Sequence, residues 1–337
     1  MSTLVFAVAL TTFPQLRANR QVFIASYLVL VGSVAFPTWL FQGMEKLGMT
    51  AILNFIVKLA FTVGIFAFLR DRDQYILVLL LSSGSQILAG CLAICYAIRD
   101  LVPDFRGPKI SKIIDQLKQG WTVFISSVFV NFYTASNTVI LGFFAARENV
   151  GYFTGGLKIV QAIQALVFYP LAQAAYPHIA KLMKEQREKG LAYIKKMTLV
   201  TAAVTIPISL GLMVLAPVIV RIILGSEFMP SVYVLRMLSL FPFVIGLSNV
   251  WGIQGVLNLN EDRAFLRTII IGSVLNLILN FTLAGRLKED GTSLSWLFTE
   301  IYITTAFFFV MRRSGIELFD IAFYKNWIHS GLVSREV

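Results

Sequence analysis

Lysine, carboxylate and amide side chains set inside long apolar runs are the residues of this sequence best placed to do chemistry. Lys58 stands near the middle of the run 49–69, and Asn54, Lys58 and Thr62 recur at i, i+4 and i+8, so one helical face carries all three. A lysine there offers a cation to an anionic ligand. It could equally be held by backbone or polar neighbours, or reach outward along its own stem. Lys158 opens a second face with Gln161, Ala165, Tyr169, Gln173 and Tyr176. Hydrogen-bonding groups beside aromatic rings suit stacking against sugars, although Lys158 is close enough to the end of its run to snorkel. Asn131 shares a stripe with Ser127, Thr134 and Thr138, and Asn276 and Asn280 share another with Ser273. Such stripes either line a cavity or hydrogen-bond neighbouring helices. Glu300 is the one carboxylate deep in a run, on a face with Ser293, Trp296 and Thr304. It could carry a proton or pair with a basic residue. A charge at bilayer depth costs roughly 2.5–3.5 kcal/mol on insertion scales, which favours a cavity or a partner for it. Arg221 and Arg236 flank a loop and read more simply as interfacial anchors.

The elements that must position these residues are transmembrane helices. Of 337 residues, 57% are hydrophobic and 14% charged, against roughly 25% charged in a soluble domain. The apolar residues fall in blocks of about 20, the length that crosses a bilayer as a helix and pairs its own backbone there. Alternating strands of an outer-membrane barrel are not seen. The pattern predicts spans at 21–41, 49–69, 75–98, 119–144, 151–179, 197–223, 233–258, 264–285 and 291–311. A partial helix at 3–13 brings the total to about ten, in an all-α polytopic bundle. Leu4 to Phe13 lacks the basic flank and cleavage site of a signal peptide. The net charge of +11 is topological rather than a sign of nucleic acid, because the basic residues lie mainly between the apolar blocks. Cys91 and Cys95, one turn apart in one block, imply neither a disulfide nor a metal framework.

Basic residues also predict orientation. One alternate set of loops, with the tail, holds 18 of them and the other holds 7. The richer set, including Lys181 to Lys196 and the C-terminus, should be cytoplasmic. Segment 99–118 has Ile110, Ile113, Ile114 and Leu117 at helical spacing among lysines, which predicts an amphipathic linker on the inner surface. The tail repeats this surface-lying pattern with Ile316, Phe319, Phe323 and Trp327. The expected domains are an incomplete N-terminal lobe at 1–98, the linker at 99–118, a six-helix lobe at 119–311 and a cytoplasmic tail at 312–337. Trp39-Leu40-Phe41-Gln42-Gly43 and Trp251-Gly252-Ile253-Gln254-Gly255 share the pattern W-x-x-Q-G, each at the cytoplasmic close of a Pro-containing span. That points to two pseudo-symmetric lobes. The second motif is the fourth span of its lobe. Matching the first to it puts the lobe's start about 93 residues before Met1 and predicts twelve spans in the complete form.

Phe36-Pro37-Thr38-Trp39-Leu40-Phe41-Gln42-Gly43-Met44-Glu45-Lys46 resembles a signature of the Wzx-type O-antigen and capsule repeat-unit flippases. So do Gly120 to Ser127, Ser136 to Gly142 and Leu247 to Gln254, and the resemblance runs from about residue 4 to about 313. It implies the multidrug/oligosaccharidyl-lipid/polysaccharide exporter fold, two six-helix lobes around a central cavity. It also implies a function: moving undecaprenyl-diphosphate-linked oligosaccharides across the bacterial inner membrane by alternating access. The partners implied are that lipid-linked substrate, membrane lipid and other polysaccharide-assembly membrane proteins. No cofactor and no nucleic acid are expected. In this frame Lys58, Asn54, Thr62, Lys158, Gln161, Tyr169, Asn131, Asn276 and Asn280 are candidates for the substrate cavity, and Glu300 is the candidate for proton coupling.

Two other readings remain at this level, an ion-coupled multidrug exporter of the same superfamily and a truncated remnant without transport activity. A membrane enzyme is disfavoured. The outer loops are a few residues long, His178 and His329 have no evident partners, and no nucleotide-binding, metal-ligating or triad pattern stands out.

Overall fold

The computed structural model describes residues 3, 6, 10–12, 17, 20–44, 46–71, 74–101, 109–320 and 323–325, apart from the side chains of 42, 47, 75, 101, 168–171 and 174. Among them every regular element is helical. Among the described residues seven helices are long and apolar enough to cross a membrane. The protein is a multi-pass helical membrane bundle. It divides into two compact units, Met1–Pro108 and Lys109–Val337.

The first unit contains α1 (Arg20–Ala35), α2 (Thr38–Gly43), α3 (Leu47–Phe68) and α4 (Tyr75–Tyr96), the last followed by a π-helical turn at Ala97–Leu101. Pro37 separates α1 from α2, since a proline disfavours helical backbone in the residue before it. α1 packs along α4 through small residues. A Cβ on Gly32 would meet the Gln86 carbonyl carbon at 2.8 Å, and one on Gly90 would meet Ala35 Cβ at 2.6 Å. Without a hydrophobic force between helices in lipid, such close backbone approach supplies much of the attraction. The Ser83 hydroxyl adds a buried hydrogen bond to the Ala25 carbonyl, 2.7 Å. Phe36, Phe41, Leu53, Val57, Ala89 and Ala93 form the core.

The second unit begins with α5 (Ile110–Phe144), α6 (Arg147–Glu185) and α7 (Arg187–Ile223). Next come α8 (Ser231–Leu238), α9 (Phe241–Ser248) and a π-helical segment, Asn249–Val256, together one interrupted span. α10 (Asp262–Arg313) closes the unit and is a hairpin of two spans rather than one rod. Lys288 breaks it with φ 51° and ψ −127°. Residues on either side then meet: Asn276 bonds Thr299, and Asn280 bonds Thr292. Gly291 is required at this turn, because a Cβ there would stand 2.2 Å from the Leu283 carbonyl oxygen.

Two segments differ from the sequence reading. Residues 110–118 do not form a helix separate from the following span. They are the first turns of α5, 35 residues and so about 52 Å long. Nothing between Ile110 and Gly120 breaks a helix, and Gly120 alone is too weak a breaker. Residues 102–108 of the expected linker lie outside the described residues. The start of the tail is packed rather than lying free on a surface. Ile316 and Leu318 are buried, and Lys195 Nζ is 2.9 Å from Asp320 Oδ2. Trp327 lies outside the described residues.

Candidate functional site

The first unit presents Asn54, Lys58 and Thr62 together on the exposed side of α3, while Leu53 and Val57 turn into the core. The Thr62 hydroxyl donates to the Lys58 carbonyl at 2.8 Å, a bond within the helix that leaves the ammonium uninvolved. Among the described residues the Lys58 side chain has no ion-pair partner. Lys158, on α6 of the second unit, is likewise exposed. The side chain of Tyr169 lies outside the described residues.

Inside the second unit a cavity of about 350 Å³ brings Asn131, Gln161 and Glu300 together. α5 contributes Asn131, Tyr133 and Thr134, and α6 contributes Gln161 and Gln164. Ser248 and Asn249 stand where α9 passes into the π segment, and Trp296 and Glu300 come from the second half of α10. Phe241, Phe265 and Phe307 complete an aromatic wall. The Glu300 carboxyl is buried. Tyr133 Oη donates to its Oε1 at 2.8 Å and Trp296 Nε1 donates to the same oxygen at 3.0 Å. Among the described residues no basic group pairs with it, so its partners are a phenol and an indole, both neutral. Gln164 Nε2 is buried with no hydrogen-bond partner there. A donor left this way marks a place where water or a ligand is wanted.

Asn276 and Asn280 are placed elsewhere. Both are fully buried in the α5–α10 interface. Asn280 Nδ2 donates to Asn137 Oδ1 at 2.9 Å, and its own Oδ1 accepts from Thr292 Oγ1 at 2.9 Å. Asn276 Nδ2 donates to Thr299 Oγ1 at 3.2 Å. Their stripe ties helices together and is not part of the cavity wall.

The cavity combines amides, a hydroxyl-bearing rim, aromatic faces and one carboxyl. Among the described residues its lining includes no lysine, arginine, histidine or cysteine. Such a surface can hold hydroxylated, uncharged groups and can take up a proton. It offers no nucleophile activated by a neighbouring base.

A family of polysaccharide biosynthesis proteins matches residues 1–183. The "Putative O-antigen transporter" of Escherichia coli strain K12 is 30% identical over 315 residues, covering 93% of this chain and 76% of that protein. The chain belongs to the polysaccharide biosynthesis protein family. Another polysaccharide biosynthesis relative, the transporter of the same name from Shigella dysenteriae, is 28% identical, with 83% and 70% covered. The probable low-salt glycan biosynthesis flippase of Haloferax volcanii is 23% identical, and the chain spans 56% of its length. In three dimensions the chain is similar to the lipid II flippase MurJ in an inward closed conformation, with a TM-score of 0.67 at 15% identity. That match covers 86% of this chain and 61% of the flippase, and it bears on the fold. The Wzx-type resemblance of the W-x-x-Q-G and neighbouring motifs therefore extends to the chain as a whole.

In this polysaccharide biosynthesis protein, sequence reasoning missed Tyr133, Gln164, Ser248 and Asn249. Gln164 had a signal, since Gln161 and Gln164 sit three apart on one helical face. Tyr133 had none: its phenol is defined by Glu300, 167 residues away. The two motif tryptophans also part company. Trp39 is 74% exposed, whereas Trp251 is 5% exposed and donates from Nε1 to Thr198 Oγ1 at 3.1 Å.

Proposed function

We propose that this protein moves undecaprenyl-diphosphate-linked oligosaccharide repeat units across the bacterial inner membrane, for O-antigen or capsule assembly, by alternating access. The observation that carries the reading is a cavity of amides and aromatic rings inside a unit otherwise built for lipid. Hydroxyl groups of a sugar lose water when they leave the aqueous phase, and each unreplaced hydrogen bond costs several kcal/mol on alkane scales. Asn131, Gln161, Gln164, Ser248 and Asn249 supply replacements, and the rings supply flat faces for the sugar. Among the described residues the cavity lining includes no cation. Within the first unit, the exposed face of Lys58, Asn54 and Thr62 offers a cation to an anionic group such as a diphosphate. Glu300 takes up and releases a proton during the cycle, and Tyr133 and Trp296 hold its carboxyl in place. No covalent bond of the substrate is made or broken. The C-terminus and the basic loop between α6 and α7 are cytoplasmic.

Deleting the gene tests this in the organism that carries it. Surface polysaccharide should be lost, and lipid-linked repeat units should accumulate on the inner leaflet. Normal surface polysaccharide, with no accumulated units, would overturn the proposal.

A further inference from the structure

A second and larger cavity of the same unit, about 630 Å³, takes no part in this reading. It runs between α6 and α7 over a floor made by Gly246, Asn249 and Val250. Its walls are aliphatic for most of their length, with Val167 and Ala172 from α6 facing Val200 and Val204 from α7. At one end the lining changes to His178, Tyr193 and Lys196. That end adjoins the junction of the two helices at Gln186, and residues 181–196 around it hold six basic and two acidic side chains. From His178 to Val167 is three turns of helix, about 16 Å, so the slot reaches roughly halfway into a bilayer core. Val200 and Val204 are 47% and 40% exposed, so the slot is open along α7. Its volume lies within the roughly 300–1,000 Å³ of small-molecule sites.

We infer that this slot binds one anionic phospholipid of the leaflet on the side of the α6–α7 loop, with an acyl chain between the helices and the phosphate at Lys196 and His178. The aliphatic part runs along α7, which is long and apolar enough to cross a membrane, and an occupant there is best matched by a hydrocarbon chain. Charge at the open end selects the headgroup. Lys196 is half-buried and lines that end. His178 is held edge-on to Tyr193, ring centroids 5.0 Å apart, and adds a donor. Basic pockets between membrane helices at this depth suit acidic headgroups over zwitterionic ones. Asn249 lines both this slot and the aromatic cavity, so a lipid seated here touches the π segment from the opposite side.

The test uses the full chain purified in neutral detergent. Phosphatidylglycerol carrying a photoreactive group mid-chain should label residues within 167–178 and 197–205. Excess unlabelled phosphatidylglycerol should compete for that labelling, and phosphatidylcholine should not. Native mass spectrometry should show one retained phosphatidylglycerol. Lys196→Gln should weaken its binding about five-fold, the effect of one basic group near an acidic lipid surface. Val204→Trp, which fills the slot, should remove the labelling while the protein keeps its elution volume. Labelling spread evenly over exposed faces such as Val214 and Val218, or equal competition by both lipids, overturns the inference. Competition by undecaprenyl phosphate but not by phosphatidylglycerol overturns it too, by giving the slot to the transported lipid. These outcomes are read without transport, so they stand or fall apart from the proposed function.

Discussion

Glu300 Oε1 accepts from both Tyr133 and Trp296, so Glu300→Gln keeps the shape and removes the exchangeable charge. In membrane vesicles, transport driven by a pH gradient should fall about tenfold or more, short of the ~10²–10⁴-fold typical of positioned proton-transfer groups. Protein accumulation should stay close to that of the parent. Unchanged pH-driven transport would make Glu300 a structural acid. Lys58 makes a second prediction at this scale. Losing one charge-assisted contact of ~1.5 kcal/mol corresponds to about a tenfold loss of transport. Lys58→Ala should show that loss, measured as surface polysaccharide at matched protein levels. Lys58→Arg should retain more, because charge matters more than shape at a wet wall. Normal transport by Lys58→Ala would return this lysine to a snorkelling role.

The α10 hairpin is specified by a few contacts. Gly291 lies against the Leu283 carbonyl, and Asn276 and Asn280 bridge from the first half to Thr299 and Thr292. Asn280 also reaches Asn137 on α5. Asn280→Ala should therefore lower stability by about 1 kcal/mol, a middling value for a polar contact between membrane helices. The assay is thermal unfolding in detergent. Transport per folded molecule should persist, in contrast to Glu300→Gln. Gly291→Val should be worse, with little protein accumulating, since the carbonyl it strikes is backbone and the turn at Lys288 cannot move independently. If Asn280→Ala keeps full stability and loses transport, its stripe belongs to the working site.

For the whole molecule, the 18 to 7 division of basic residues between alternate loops predicts the direction of every helix. In a chain with Cys91 and Cys95 replaced by Ala, single cysteines at Asp115 and Glu188 should react with an impermeant reagent only after permeabilisation. One at Arg286, exposed beside the α10 turn, should react in intact spheroplasts. The reverse pattern would invert the topology, and with it the leaflet assigned to the phospholipid slot.

Sequence alone determined the class of the protein. Blocks of about 20 apolar residues leave one economical solution in lipid, a helix that pairs its own backbone, and this follows from local composition. The motifs carried the family, and helical spacing placed Gln161 near the useful face of α6 and Glu300 deep in its span. Long-range packing decided the rest. Asn131 and Asn276 both sit on polar stripes and look alike in sequence. One lines a cavity and the other bonds the facing helix of a hairpin, because the α10 turn brings Thr299 within reach of Asn276. The tryptophans of the repeated motif differ for the same reason. Trp251 has Thr198 of α7 beside it, while Trp39 is left exposed. A side chain's partner in a bundle comes from another helix, and the sequence records the spacing along each helix but not which face meets which.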